Sequence, residues 1–357
     1  MKVLNVLCSG SAGGIESLCR SISMSKCNYD NHWMFVYQGG IVADAMKEYT
    51  DKIIILNEKK NILKIILNIK NYCKKNKIDI VTFHHSGLHN DILYVLARMV
   101  LLKVKFVRQQ HICYSTNNTF KEKIFDLVMK IEFKLSDLII FVSEASKKSY
   151  EDRFKLKNNK KAVVYNGIGE EFYVKSNNKE KENVFTYIGR LEPEKGVLLL
   201  LEAYNMFYKK NKNFKLRYIG DGSAYIELEN LVKKYHLEDK VEILGKRLDV
   251  IKWLDVSKIF VYPSICDESF GISVVEAMAR GNIPVTFKKG GLPEIIKNGY
   301  NGFIVEEVSA ETLCKKLFEL TSNEDYKNLT KNALETSKKF TIENTIASLE
   351  ENYMDLL

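Results

Sequence analysis

The chain has 357 residues, 46% hydrophobic and 28% charged, the balance of a soluble globular protein long enough for two domains. Its formal net charge of +9 comes largely from lysines dispersed along the chain, so nucleic-acid binding has only scattered positive charge behind it. The seven cysteines are odd in number and form no Cys-x-x-Cys pair, which argues against a zinc ribbon or a disulfide framework and for a reducing compartment.

Met1 to Cys8 is too short an apolar run for a signal peptide, and Ile92 to Leu102 is broken by Arg98 and too short to span a bilayer. Val3 to Leu7 reads as a buried strand. It leads into Ser9-Gly10-Ser11-Ala12-Gly13-Gly14-Ile15-Glu16, a tight turn entering a helix near Ser17. The small residues permit close backbone approach, yet the dinucleotide fingerprint Gly-x-Gly-x-x-Gly is not matched, which disfavours a nicotinamide dehydrogenase. Further strands are expected at Trp33–Tyr37, Lys52–Leu56, Ile78–Phe83, Val104–Arg108, Leu138–Val142 and Ala162–Tyr165, with helical patterns between them. That alternation predicts a doubly wound parallel sheet, whose ligands sit beyond the carboxyl ends of the strands.

Strand-end residues therefore matter most: His84 and His85, Gln109 to His111, Ser143 and Glu144, and Asn166-Gly167. His85 and His89 stand four apart, but no third metal partner is evident, and a loop role is the simpler reading. His111 ends a strand, where its ring must face a cleft or find a local partner. Asn61 to Lys75 has a helical period, with Ile62, Ile65, Ile66, Ile69, Tyr72 and Cys73 on one face and Lys64, Asn68, Asn71 and Lys75 on the other. Lys59, Lys60, Lys70, Lys74 and Lys77 add charge, so contact with an anionic membrane surface stands beside a plain solvated face. Phe120 to Leu135 is a second amphipathic helix, read as packed on the sheet.

The polar stretch from Val174 to Asn183 has no hydrophobic period and reads as a linker. Val184–Ile188 restarts the alternation and leads into Gly189-Arg190-Leu191-Glu192-Pro193-Glu194-Lys195-Gly196, a loop with two cations. Lys215–Ile219 and Val241–Leu244 follow as strands. Ile259 to Tyr262 is a buried strand before Pro263-Ser264-Ile265-Cys266-Asp267-Glu268-Ser269-Phe270-Gly271, and a helix then runs to Gly281. The free N–H groups at that helix start suit an anion. Glu268 and Glu276 lie eight positions apart, a little over two helical turns, so both carboxylates can face one cleft. N–H donors for phosphate beside acceptors for hydroxyls suit a sugar nucleotide.

The assembly of Pro-Ser, Glu268, Phe270-Gly271, Glu276-Ala-Met-Ala-x-Gly281, Pro284-Val285 and Gly290-Gly291-x-Pro293-Glu294 resembles the donor-site signature of the retaining, GT-B-fold family 4 glycosyltransferases. The likeness spans nearly the whole chain and is strongest from Gly189 to Gly302. It implies the α/β GT-B architecture: two Rossmann-like doubly wound parallel-sheet domains with a cleft between them. The acceptor-side domain is then 1–174, the nucleotide-sugar donor domain 183–343, and a last helix at about 344–357 crosses back onto the first.

The same resemblance implies transfer of a sugar from a nucleotide donor, a UDP-sugar, to a hydroxyl of a glycan or lipid-linked acceptor with retention, as in bacterial surface polysaccharide synthesis. Arg190 and Lys195 then hold the diphosphate, and the N–H groups following Phe270, at Gly271 and Ile272, hold a phosphate or sugar oxygen. Glu268 takes the sugar hydroxyls and Glu276 the ribose. His111 lies near the transferred sugar, Gly13 and Gly14 face the donor phosphates, and the base lies near Gly245 to Leu248. Asp267 directly precedes Glu268, so two adjacent carboxylates compete for the sugar. A sugar-nucleotide epimerase of this architecture and a non-catalytic sugar-nucleotide-binding partner are the competing readings. No cofactor or metal is expected, since no Asp-x-Asp pair occurs. The expected location is cytoplasmic, with the inner face of the cell membrane as the site of any lipid contact.

Overall fold

β1 (Lys2–Ser9) is apolar on both of its faces because both are covered, the mark of a central parallel strand. Val3 and Leu7 enter one apolar cluster and Leu4 and Val6 another, as the two-residue period of a strand requires. The structure, a computed structural model, describes every residue except 12, 59–60, 85–86, 115–119, 157–159, 175–180 and 323–324. His85, Lys59, Lys60 and most of the linker expected at 174–183 thus lie outside the described residues.

Contacts divide the chain into two units, Met1–Gly167 with Ile342–Leu357, and Ile168–Thr341. After β1 the first unit runs α1 (Gly14–Met24), β2 (Asp30–Gln38), α2 (Ile41–Met46), β3 (Ile53–Ile55), α3 (Ile62–Asn76) and β4 (Ile80–Phe83). It continues with α4 (Leu88–Val100), β5 (Lys105–Gln110), α5 (Phe120–Leu135), β6 (Leu138–Phe141), α6 (Glu144–Phe154) and β7 (Lys161–Val163). All seven strands are parallel, in the order β3-β2-β1-β4-β5-β6-β7.

The second unit runs β8 (Glu182–Ile188), α7 (Val197–Tyr208), β9 (Lys215–Ile219), α8 (Tyr225–Lys234), β10 (Val241–Ile243), α9 (Val250–Val256) and β11 (Ser257–Tyr262). Then come α10 (Ile272–Ala279), β12 (Ile283–Phe287), α11 (Leu292–Ile295), β13 (Phe303–Val305), α12 (Ala310–Thr321) and α13 (Tyr326–Ser337). Its six strands are also parallel, in the order β10-β9-β8-β11-β12-β13. Both units are therefore Rossmann-like. The strand order reverses between β1 and β4 in one sheet and between β8 and β11 in the other, and ligands of such sheets bind outside the carboxyl ends at those points.

Residues 168–174 belong to the second unit. Ile168 bridges Thr341, and the Arg280 guanidinium donates to the carbonyl of Phe172 at 3.1 Å. The last helix, α14 (Ile342–Met354), belongs to the first. Its Ile342, Ile346, Leu349 and Tyr353 complete the apolar cluster under β1, and the buried Tyr353 hydroxyl meets Thr82 Oγ1 at 3.3 Å.

Local chemistry explains the element ends. The Asn61 side chain accepts from Lys64 N at 3.0 Å and starts α3, while Ser143 does the same for α6 through Ser146 N at 3.0 Å. Ile65, Ile66, Ile69 and Cys73 of α3 face the sheet, as its periodicity predicts. Leu63 and Leu67 are exposed beside Lys64, Lys70 and Lys74. Among the described residues no helix is long and apolar enough to cross a membrane.

Candidate active site

Two loops of the second unit meet at its switch point. The loop after β8 begins at Gly189, and the loop after β11 begins at Pro263. Ile265 N and Cys266 N donate to the Glu194 carbonyl at 3.0 and 3.2 Å, which ties the loops together. Gly196 has φ +70°, and a Cβ there would stand 1.9 Å from the Pro263 carbonyl oxygen, so no side chain fits between the loops at that point.

This contact brings Lys195 and Glu268 together. Lys195 Nζ donates to Glu268 Oε1 at 2.6 Å, and the two side chains are only 13% and 10% exposed. Burial pushes the pKa of the Tyr262 hydroxyl up, and the nearby Glu268 carboxylate pushes it further. Cys266 Sγ lies 3.8 Å from Lys195 Nζ. Arg190 stands apart from the pair. It is well exposed and reaches Glu194 at 3.6 Å.

The adjacent acids divide their work. Asp267 accepts from Gly290 N at 3.1 Å, whereas Glu268 turns its side chain to Lys195 and receives Gly291 N on its main-chain carbonyl at 2.7 Å. Gly290 has φ +50°, and a Cβ there would lie 2.0 Å from the Glu268 carbonyl oxygen. The Gly290-Gly291 pair thus serves as a brace for the backbone that carries Glu268.

Gly271, φ +115°, turns the chain into α10. Val274 N and Val275 N return to the Gly271 carbonyl, leaving Ile272 N and Ser273 N without an acceptor among the described residues. These donors and the positive helix end favour an anion. Phe270 is 1% exposed and packs edge-on against Phe340, so it offers a ligand backbone rather than ring. Glu276 sits on α10, its carboxyl pushed up to about 7 by burial and, next, by Glu171. Beyond β10, Gly245 has φ +65° and its carbonyl accepts from Gly220 N at 2.9 Å.

In the first unit the turn after β1 packs on the loop before α2, with Val42 N donating to the Gly10 carbonyl at 2.9 Å. Gly13 caps α1 in extended backbone, and Gly14 is its first residue. His111 follows β5. Its Nε2 lies 3.2 Å from His84 Nδ1, and His84 Nε2 lies 3.0 Å from Asn5 Oδ1. His89 goes elsewhere, its ring 5.5 Å from that of Tyr37. Tyr262, Cys266 and Asn5 escaped sequence reasoning. Tyr262 had a signal, as the last residue of a strand beside the switch point. Asn5 had none, because a polar residue inside an apolar strand is legible only once its neighbours are known.

Residues 169–336 match the profile described as glycosyl transferases group 1, and residues 49–172 match glycosyltransferase family 4. The uncharacterized glycosyltransferase MJ1178 of Methanocaldococcus jannaschii is 30% identical over 80% of this chain and 78% of its own. N-acetyl-alpha-D-glucosaminyl L-malate synthase of Bacillus anthracis is 26% identical over 80% of this chain and 76% of its own. Among solved structures, Anabaena Alr3699/HepE in complex with UDP and glucose superposes with a TM-score of 0.84 at 19% identity, covering 99% of both chains. With two parallel-sheet units of the GT-B fold, the chain belongs to the group 1 glycosyl transferases and is an enzyme of the hexosyltransferase type.

Proposed function

We propose that this enzyme transfers a sugar from a UDP-sugar to a hydroxyl of a glycan or lipid-linked acceptor, with retention at the anomeric carbon, in surface polysaccharide or glycoconjugate synthesis. The observation that carries the reading is the Lys195–Glu268 pair at the switch point of the second sheet. Bond cleavage at the anomeric carbon leaves new negative charge on a nucleotide diphosphate. A fixed ammonium, shielded from water, stabilises that charge more than it stabilises the intact donor. Arg190 on the same loop and the N–H groups of Ile272 and Ser273 take the remaining phosphate oxygens. Glu268, pinned from behind by Gly291 N, accepts from the sugar hydroxyls. Glu276 accepts from the ribose, Gly13 and Gly14 approach the phosphates, and His111 lies by the transferred sugar.

Two cations and a helix terminus can do a magnesium ion's electrostatic work, so transfer is proposed to need no metal. Activity should persist in EDTA; loss in EDTA with recovery in magnesium or manganese overturns that assignment. The exposed Leu63 and Leu67 among the lysines of α3 support a peripheral seat on an anionic membrane, on the cytoplasmic side where sugar nucleotides are made. A screen of nucleotide sugars with lipid-linked acceptors, following nucleotide release, tests the whole reading. The solved structure named above, bound to UDP and glucose, makes UDP the nucleotide to try first. Failure of every donor to be turned over in the presence of acceptor would sink it.

A further inference from the structure

We infer that His84, oriented by Asn5, is a positioning residue that sets which nitrogen of His111 carries the proton. Three adjacent strands build the arrangement. Asn5 lies within β1 and pairs in register with Thr82 of β4, which pairs with Val107 of β5. His84 follows β4 and His111 follows β5. Asn5 and His84 are 4% and 2% exposed, so their polar atoms must be satisfied inside the protein.

The chain of donors can be read from one end. The Asn5 amide nitrogen lies 3.4 Å from the His32 carbonyl and 3.0 Å from Asn31 Oδ1. A backbone carbonyl only accepts, so the NH2 end of the amide is on that side. Oδ1 is therefore the atom facing His84, and it accepts from His84 Nε2–H at 3.0 Å. Burial favours the uncharged ring, and with its proton on Nε2 the other nitrogen, Nδ1, keeps its lone pair. That lone pair accepts from His111 Nε2–H at 3.2 Å. The two rings are tilted by only 24°, close to the shared plane that an in-plane N–H···N bond needs.

His111 is thereby held as the Nε2–H tautomer, with Nδ1 as its acceptor atom. For the reading proposed above, on which only the catalytic consequence rests, this means that a sugar hydroxyl reaching the Nδ1 edge of the ring meets an acceptor. A proton taken up at Nδ1 leaves the Nε2–H bond to His84 in place. The tautomer assignment itself is argued from Asn5 and His84 and not from the proposed reaction.

Nitrogen-15 NMR of the histidine-labelled full chain reports each ring's tautomer directly. Wild-type His111 should read as Nε2–H. Asn5→Asp places an anionic acceptor on His84 Nε2–H and favours the doubly protonated ring. The bond should then turn around, His84 Nδ1–H donating and His111 carrying its proton on Nδ1. His84→Phe removes the acceptor and should shift the His111 tautomer populations away from those of the wild type. An Nδ1–H His111 in the wild type, or a His111 spectrum unmoved in His84→Phe, overturns the inference. In the activity arm, His84→Phe should lower kcat about tenfold or more while the donor KM stays within about twofold, the pattern of lost orientation. A tautomer that moves while kcat stays constant upholds the relay and overturns the placement of His111 by the sugar.

Discussion

The two units present different chemistry beyond the carboxyl ends of neighbouring strands in their sheets. Beyond β8 and β11 the second unit sets an ammonium against a carboxylate, 2.6 Å apart. Beyond β4 and β5 the first sets a chain of imidazoles ending on an amide. A fold that positions strand ends says nothing about the charge placed there. A fixed ion can stabilise charge that a leaving group gains, whereas neutral donors and acceptors can orient hydroxyls with a much smaller desolvation cost.

The sharpest way to break that contrast is Lys195→Ala. It removes the cation and strands Glu268 in a largely buried site. Transfer should lose about 2 to 4 kcal/mol of barrier stabilisation, read as kcat/KM, with the fold checked by circular dichroism. A smaller loss would move the electrostatic burden to Arg190. Glu268→Ala comes next, at a cost of at least about 2 kcal/mol in kcat/KM while UDP affinity stays near wild type, because its assigned partner is the sugar. Weakened UDP binding in calorimetry would place the carboxylate on the nucleotide instead. Since the two side chains touch, their double mutant should cost less than the two single losses combined.

Stability gives a comparison of similar size. Leu349→Ala empties part of the first unit's core, to which α14 contributes, and should cost about 2 to 5 kcal/mol of unfolding free energy. If the units melt separately in calorimetry, only the transition of the first should move.

Glu276 predicts a gentler effect. Its carboxyl is pushed up to about 7, by burial first and then by Glu171. Ribose hydroxyls donate to the carboxylate form, so binding favours the ionised state and releases a proton. Affinity for UDP should therefore rise with pH through 7, by less than about tenfold per unit, and level off above it. Glu276→Gln should flatten the profile, and a wild-type affinity independent of pH between 6 and 8 would remove Glu276 from the ribose. The smallest effect belongs to α3. Binding to phosphatidylglycerol vesicles should weaken with salt, because exposed charges are screened over about 8 Å at physiological ionic strength. Leu63→Ser with Leu67→Ser should weaken it further, and indifference to vesicles at low salt would leave that face simply solvated.

The same contrast explains what was legible in the sequence. The sheet alternation was visible as far as β11, because hydrophobic runs of four to eight residues need no tertiary knowledge, whereas β12 and β13 were not picked out as strands and Phe303, the first residue of β13, was read as part of a turn. Lys195 and Glu268 lie in short stretches whose spacing reflects one loop each, so both could be picked out. Their pairing could not, since it depends on β8 and β11 being neighbours. Asn5, His84 and His111 come from three strands spread over a hundred residues, and only parallel register aligns them. Asp267 and Glu268 were indistinguishable until the Gly290 amide was seen to claim the first.

The placement of α14 bears on how the protein is made. A ribosome delivers Ile168–Thr341 as one uninterrupted length, so every part of the second unit is made before α14. The first unit, begun earliest, waits for Ile342–Leu357. Until then the surface that Ile346, Leu349 and Tyr353 will cover is open, an apolar patch on a nascent chain. The half translated first is thus completed only by a segment translated after the whole of the other half.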